Sequence, residues 1–211
     1  STLSSSSAAS DVYKRQLGIS VSTLRKLAKE IGKDHALAQE LWETGIHEAR
    51  ILASLIDIPK FVTEIQMEQW ANDFDSWDLY DTCCGSLFDK TVFAEKKISE
   101  WVNAEKEFVK RAGFALIAWT ALHKKKDPDR NFLNYLNYVK QHSTDDRIYV
   151  KKSVNWALRQ IGKRSALLNE AAVALSEELL KTESKTARWI AKDSLKELKS
   201  QKVQIKILER K

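Results

Sequence analysis

A tryptophan and a carboxylate four residues apart are the most informative feature of this 211-residue chain. The segment SWDLYD, residues 76–81, places Trp77 and Asp81 on one face of a predicted helix. An acid beside a large aromatic ring is unusual on a solvent-facing helix, so the pair is a candidate functional site. Two later predicted helices add a cation, Arg111, and a second indole, Trp156. Together these residue types favour chemistry on a cationic ligand held in a polyanion.

The composition is that of a helix-rich globular protein. The chain has 43% hydrophobic and 30% charged residues, but only 6 glycines and 2 prolines. Its longest apolar run, residues 113–122, is about half as long as a membrane-spanning helix. Residues 1–16 lack the apolar core of a secretory signal. We therefore expect an intracellular, cytoplasmic protein with no membrane partner, and we expect it to act as a monomer.

The cysteines and histidines predict neither a disulfide nor a metal site. Cys83 and Cys84 are adjacent on a predicted helix, where successive side chains diverge and cannot form an ordinary disulfide. We expect both to be buried, reduced thiols. The four histidines are too scattered for a metal site: His35, His47, His123 and His142. No cofactor is expected.

The charge of the chain favours a polyanionic partner. The formal net charge is +6, and the acidic residues concentrate in the first hundred positions. The C-terminal half would therefore carry most of a nucleic-acid contact surface. Basic residues cluster there in Lys110-Arg111, Lys124 to Lys126, Lys151-Lys152, Lys163-Arg164 and the tail from Lys196 to Lys211.

Hydrophobic periodicity predicts an all-α fold with no competing strand pattern. Residues 1–16 are serine-rich and are interpreted as a disordered leader or a cloning or assembly remnant. The folded domain is predicted over 17–200, followed by a basic tail over 201–211. Amphipathic segments are predicted at 20–32, 35–43, 46–57, 64–73, 76–88, 91–102, 105–123, 130–141, 146–163, 165–181 and 184–199.

Several predicted helices resemble one another, which is typical of a solenoid of helical hairpins. Each carries a basic residue at the same point before an apolar stripe. The predicted architecture is a single curved domain, a right-handed α-solenoid of antiparallel hairpins, in which these residues form a positive track. A solvated charged face is the alternative explanation for each one. The four track residues are Arg50, Arg111, Lys152 and Arg188.

Three spaced motifs give the chain a family resemblance: WDLYD at 77–81, VKRA at 109–112 and VKKSVNWALR at 150–159. Their joint presence resembles the AlkD-type DNA alkylation repair glycosylases, which are built of HEAT-like helical repeats. The resemblance covers roughly residues 17–200. It implies that Asp81 is the catalytic aspartate, that Trp77 and Trp156 flank the lesion-bearing nucleotide, and that Arg111 is the active-site arginine. The family's amphipathic segment before the position of Leu17 is replaced here by the serine-rich leader.

The resemblance implies a monofunctional DNA glycosylase that excises positively charged N3- and N7-alkylated purines, such as 3-methyladenine and 7-methylguanine, from duplex DNA. Such a base is a good leaving group, so the reaction needs a fixed negative charge beside the developing sugar cation more than it needs a general acid. An ionised Asp81 would supply this charge. The family holds the duplex without base flipping. Expected DNA-binding residues are Lys110, Lys151, Lys152, Arg159, Lys163 and Arg188.

Simpler interpretations remain open for the same residues. Trp77 and Trp156 are candidates for inter-helix core positions, and Asp81 for a surface or capping carboxylate paired with Arg111. Two other function classes also remain: a catalytically silent binder of distorted DNA, and a helical-repeat scaffold for another protein. The glycosylase hypothesis predicts that the four site residues converge on the concave face. The other tryptophans are assigned to packing: Trp42, Trp70, Trp101, Trp119 and Trp189.

Overall fold

The computed structural model describes residues 17–209, and all regular secondary structure in this range is helical. The all-α prediction is therefore confirmed. The helices are α1 Val21–Ile31, α2 His35–Glu43, α3 His47–Ile56, α4 Glu64–Asn72, α5 Trp77–Ser86, a 3₁₀ turn Phe88–Lys90, α6 Ala94–Trp101, α7 Glu107–His123, α8 Asp129–His142, α9 Ile148–Gly162, α10 Ala166–Leu180, α11 Lys185–Leu198 and α12 Gln201–Leu208.

The predicted segments correspond to α1 to α11, with boundaries that differ by a few residues. Thr63 and Ser165 cap α4 and α10 by accepting hydrogen bonds from the backbone N–H groups of Gln66 and Leu168. The structure adds α12, which the sequence analysis places in the basic tail. Residues 1–16, interpreted as a leader, lie outside the described residues.

Helix α12 forms because two apolar residues four positions apart lie on one of its faces. Val203 and Ile207 are both buried, whereas Lys202 and Lys206 are exposed. The segment is thus an amphipathic helix whose lysines face solvent. Its high lysine content conceals this short apolar pattern in the sequence.

The chain divides into two compact units, the first ending at Val92 and the second beginning at Phe93. In the N-terminal unit, α3 packs against α1, α2 and α5. The indoles of Trp42 on α2 and Trp70 on α4 stack 3.8 Å apart and nearly parallel, joining these two helices in the core. Helix α5, which carries the predicted catalytic carboxylate, is supported by its packing against α3.

The C-terminal unit has two layers of helices. Helices α7, α9 and α11 pack side by side in succession. A second layer consists of α6, α8 and α10, which pack against α7, α9 and α11 respectively. This arrangement of stacked antiparallel hairpins is that of a helical repeat, and it places the predicted DNA-binding residues of α7, α9 and α11 on neighbouring helices.

Two glycines allow close approach between helices in this unit. A Cβ atom added at Gly113 on α7 would lie 2.6 Å from the backbone nitrogen of Val102, at the end of α6. A Cβ atom at Gly162, the last residue of α9, would lie 2.7 Å from the side chain of Leu198 on α11. Both positions therefore require glycine because a side chain would push the paired helices apart.

Cys83 and Cys84 are both free and buried, as predicted. Burial raises the pKa of each thiol well above its ordinary value. Within residues 17–209, no cluster of histidine, cysteine and acidic side chains has the composition of a metal site. In the same range, no helix has the length and apolar character needed to cross a bilayer.

Candidate active site and nucleic-acid interface

Trp77 is the first residue of α5 and projects into solvent. Its side chain is 60% exposed, whereas Trp42, Trp70 and Trp101 are all at most 4% exposed. The three buried indoles confirm the packing roles assigned to them from the sequence. Trp77 is not a core residue, so the alternative of inter-helix packing does not apply to it. An exposed indole at a helix start is available to contact a ligand.

Asp81 lies on the same face of α5 as Trp77, one helical turn further on. Its side chain is partly buried, and its Oδ1 atom is inaccessible to solvent. Burial, with a smaller contribution from the charge of Asp78, raises the pKa of Asp81 to about 7. From the sequence, an ionised carboxylate is expected here. In the DNA-free protein the protonated form is also populated at neutral pH, and a nearby positive charge would favour ionisation.

His47 is a polar neighbour of this carboxylate pair that the sequence analysis does not single out. It is the first residue of α3, and its Nε2 atom lies 2.9 Å from Oδ2 of Asp78. The hydrogen bond to Asp78 raises the pKa of His47. Although burial opposes it, the same hydrogen bond helps to lower the pKa of Asp78. Asp78 and Asp81 are thus shifted in opposite directions from the ordinary value.

The position of Asp81 in its helix is the one that basic residues occupy in related helices. Arg111 and Lys152 are the fifth residues of α7 and α9, and Asp81 is the fifth residue of α5. Arg50 and Arg188 are the fourth residues of α3 and α11. The basic residues thus lie within one position of each other near the starts of these helices, and α5 has a carboxylate there. The positive track itself stays a prediction.

Arg111 is buried, with 8% of its surface exposed. Its Nη1 atom donates a hydrogen bond of 2.8 Å to the carbonyl oxygen of Tyr149, and its guanidinium lies 5.9 Å from the centre of the Tyr149 ring. Burial lowers the pKa of Arg111 to about 10, so it remains charged at neutral pH. These contacts hold a cation in a fixed orientation with a small accessible surface.

Trp156 on α9 is partly buried. Its ring meets the ring of Trp119 edge to face, with 5.4 Å between the ring centres. The side chain of Gln160, oriented with its oxygen toward the indole, accepts a hydrogen bond of 3.0 Å from Nε1 of Trp156. The indole of Trp156 is therefore partly packed within the protein and partly accessible to a ligand. Trp119 is likewise only partly buried.

A row of polar contacts joins α9 to α11, each between residues 38 positions apart. Asn155 donates a hydrogen bond of 2.6 Å to Asp193, and Arg159 donates one of 2.7 Å to Glu197. On the same two helices, Lys151 lies 5.0 Å from the centre of the Trp189 ring, which is 40% exposed. Trp189, assigned to packing from the sequence, is thus only partly packed.

The predicted DNA-binding residues fall into two groups. Lys110 forms an ion pair of 3.3 Å with Asp145, while Arg159 and Lys163 share Glu197 at 2.7 and 2.5 Å. Lys151, Lys152 and Arg188 have no carboxylate partner in the part of the chain that the structure describes. An anionic ligand would meet no such competition at the second group.

Lys152 is exposed, whereas Arg188 donates a hydrogen bond of 2.7 Å to the carbonyl oxygen of Thr182. The fourth track residue, Arg50, pairs with Asp73 at 3.0 Å and lies over the Trp42 ring. The track residues therefore differ in how many contacts their charged groups make within the protein. Lys152 is the most accessible of them.

The structure places Trp77 and Asp81 in the N-terminal unit, and Arg111 and Trp156 in the C-terminal unit. Within the first unit, the indole and the carboxylate share one helix face, with the His47–Asp78 pair beside them. Within the second unit, Arg111 and Trp156 lie on the adjacent helices α7 and α9. The convergence of all four on one concave face stays a prediction.

The fold is shared with a solved structure described as "A new family of proteins related to the HEAT-like repeat DNA glycosylases with affinity for branched DNA structures". That protein is 21% identical in sequence, with a TM-score of 0.71 and coverage of 84% of this chain and 81% of its own. The prediction of HEAT-like helical repeats is thereby confirmed. No curated protein matches the chain significantly.

A family profile described as "DNA alkylation repair enzyme" matches residues 8–198. The match includes all three motifs on which the resemblance was based, and it begins within the segment interpreted as a leader. The chain belongs to the DNA alkylation repair enzyme family.

Proposed function

We propose that this protein is a monofunctional DNA glycosylase that removes cationic N3- and N7-alkylated purines from duplex DNA. The observation that carries the proposal is the pairing on α5 of an exposed indole, Trp77, with a partly buried carboxylate, Asp81, whose pKa is raised to about 7. Groups with strongly perturbed pKa values cluster at functional sites. Membership of a DNA alkylation repair family supports the same assignment.

Asp81 acts in this mechanism as a negative charge beside the deoxyribose. The bond between C1′ and the base nitrogen breaks, and its electron pair goes to the cationic base, which leaves as a neutral molecule. Water then adds to C1′ and loses a proton, giving an abasic site. The sugar is positively charged in the transition state, so a carboxylate held against it lowers the barrier. The positive lesion also favours the ionised form of Asp81.

The other site residues hold the DNA and stabilise its charge. Trp77 packs its exposed ring against the deoxyribose of the lesion-bearing nucleotide, where the electron-rich face also attracts a cation. Trp156 supplies a second indole face, and the fixed guanidinium of Arg111 contacts the adjacent backbone. Lys151, Lys152 and Arg188 bind phosphates in a sequence-independent manner, with Lys110, Arg159 and Lys163 adding to the positive potential.

Selectivity arises in this mechanism from the lesion and not from a pocket that reads base edges. Cationic alkylpurines leave readily, whereas neutral lesions need protonation by a general acid. The lesion can remain in the helix because the protein contacts the sugar and the backbone. Bulky cationic adducts should therefore be accepted. No metal or other cofactor takes part.

Binding of branched or distorted DNA without base removal is the second candidate function. The affinity of the structurally similar protein for branched DNA favours it. A binder requires the basic residues but not Asp81, so the two candidates differ in their dependence on this carboxylate.

The test is release of 7-methylguanine or 3-methyladenine from a defined duplex under single-turnover conditions. Wild type should release the base, while Asp81→Asn should lose at least about 100-fold in rate and keep its DNA affinity. Asp75→Asn, which removes an exposed carboxylate just before α5, is the matched control and should retain the wild-type rate. Junction binding without base release by wild type would establish the second candidate instead.

A further inference from the structure

A cavity of about 610 Å³ lies within the C-terminal unit, beside the last turn of α9. Its walls come from the end of α7, the start of α8, the end of α9, the start of α10 and one side of α12. The charged and amide side chains that line it are Lys125, Asp129, Gln160, Lys163, Arg164 and Lys206. We call it the α9 cavity.

The α9 cavity has an excess of positive charge. Lys125 and Lys206 are exposed, and neither has an ion-pair partner among residues 17–209. Lys163 shares Glu197 with Arg159, so its charge is partly balanced. A cavity with this lining attracts an anion carrying hydrogen-bond acceptors.

Two of the lining groups build the wall. Arg164 donates hydrogen bonds to the carbonyl oxygens of Ala121 at 2.9 Å and Asp127 at 3.0 Å, and its guanidinium lies 3.8 Å from the centre of the Phe132 ring. Asp129 accepts a hydrogen bond of 2.6 Å from the hydroxyl of Ser165. Because these contacts already engage both side chains, the cations that face a ligand are Lys125 and Lys206, beside Lys163, whose charge is shared with Glu197.

Gln160 connects the α9 cavity to the candidate active-site indole. Its side-chain oxygen accepts hydrogen bonds from Nε1 of Trp156 at 3.0 Å and from Nζ of Lys163 at 3.1 Å. Trp156 and Gln160 are four positions apart on one face of α9, and Lys163 follows its last residue. Seven residues of helix span roughly 10 Å, which equals the rise of about three base pairs along the axis of a duplex at about 3.4 Å each.

We propose that the α9 cavity binds a backbone phosphate of the DNA two or three nucleotides from the nucleotide that Trp156 contacts. Lys125 and Lys206 contact the phosphate oxygens directly, and Gln160 is a positioning residue that orients Lys163 relative to Trp156. This inference rests on the proposed function for the role of Trp156. It also gives α12 a role, since the buried side chains of Val203 and Ile207 hold the helix that presents Lys206.

The test replaces single phosphates with uncharged methylphosphonates along a duplex that carries a stable abasic-site analogue. Wild type should lose affinity most strongly when the neutral linkage is two or three nucleotides from the analogue. The double variant Lys125→Gln/Lys206→Gln should bind more weakly, with a salt slope shallower by about two units. In this double variant, a methylphosphonate at the same linkage should cause no further loss of affinity. The lysine substitutions and the neutral linkage would each remove the same interaction.

Lys181→Gln is the matched control. It removes an exposed lysine just beyond α10, whose 15 residues put it about 22 Å from the cavity end of that helix. It should leave the methylphosphonate profile unchanged. Thermal melting should confirm that all variants are folded, since the substituted lysines are exposed and unpaired in the described range.

The inference would be overturned if the double variant and the neutral linkage lowered DNA affinity independently of each other. It would also be overturned if the affinity of wild type did not depend on the position of the methylphosphonate. Binding of free inorganic phosphate to wild type, together with an unchanged DNA profile in the double variant, would mean that the cavity takes a small anion and would also overturn it. The profile is a binding measurement. It therefore remains interpretable without base release, and base release with an unaltered profile refutes the cavity assignment alone.

Discussion

Nε2 of His47 lies 2.9 Å from Oδ2 of Asp78, one helical turn before Asp81 on α5. This contact lets two neighbouring carboxyl groups behave differently. Burial opposes ionisation of Asp78, but its hydrogen bond and charge interaction with His47, together with hydrogen bonds from Ser76 and the backbone, lower its pKa overall. At Asp81, burial raises the pKa to about 7. Two acids with separated pKa values commonly have separate roles in one site. We infer that Asp78 is structural and Asp81 functional.

The raised pKa of Asp81 should cost stability as the pH rises. The folded protein binds this proton more tightly than the unfolded chain, so stability decreases between the unfolded pKa of 3.8 and the folded pKa of about 7. Asp81→Asn removes this loss. We expect it to increase the free energy of unfolding by about 1–2 kcal/mol at pH 8, after allowance for screening, and much less at pH 4. Urea unfolding at both pH values measures the difference. A larger gain at pH 4 would contradict the assigned direction.

His47 should stabilise the protein most at acidic pH. The hydrogen bond to Asp78 raises its pKa, so its contribution is complete below 6.5 and is lost as the pH passes the folded pKa. His47→Gln should therefore destabilise by about 1 kcal/mol at pH 6 and less at pH 8.5. His142→Gln is the contrasting control, because burial lowers the pKa of His142 and its effect should increase with pH. Parallel trends in the two variants would refute this account.

Substitution of Trp77 should affect base release, whereas substitution of Trp70 should affect stability. Trp77→Ala removes a 60% exposed indole and should reduce base release by at least about tenfold with little change in unfolding free energy. Trp70→Ala removes a core indole that stacks on Trp42 at 3.8 Å, and should destabilise by about 3–5 kcal/mol. Single-turnover rates and chemical denaturation give the two readouts. A large loss of stability from Trp77→Ala, with unchanged release, would make that indole structural.

Lys152 and Arg159 should differ in their contribution to DNA affinity. Lys152 is exposed and has no carboxylate partner in the described range, whereas Arg159 donates to Glu197 at 2.7 Å. Lys152→Gln should weaken binding to all duplexes and make the salt slope shallower by about one unit. Arg159→Gln should change the slope less, because the cation is already partly neutralised. Equal slope changes, measured by titration at several salt concentrations, would show that the ion pair opens on binding.

The helices were largely predictable because each buries an apolar stripe with the 3.6-residue period. Residue type also accounts for the caps at Thr63 and Ser165, because their hydroxyl oxygens accept backbone N–H hydrogen bonds at the helix starts. Helix α12 was missed because its buried face consists of only Val203 and Ile207 within a lysine-rich segment.

Contacts between helices were much harder to predict. His47 and Asp78 are 31 positions apart, and no local pattern joins them. The pairing of Arg159 with Glu197 follows a spacing of 38 residues, which becomes visible only when neighbouring helices are aligned. The pKa of Asp81 depends on burial by surrounding helices, so residue type and spacing alone predict an ordinary ionised carboxylate.

In the proposed mechanism, Asp81 stabilises a sugar cation while the base leaves without being read in a pocket. The most direct measurement is the single-turnover rate of base release from matched duplexes that differ only in the lesion. We predict release of 3-methyladenine, 7-methylguanine and a bulky cationic N7 adduct, with hypoxanthine and 1,N6-ethenoadenine left in place. Efficient excision of hypoxanthine together with rejection of the bulky adduct would contradict the account, because both results require a closed pocket that recognises the base.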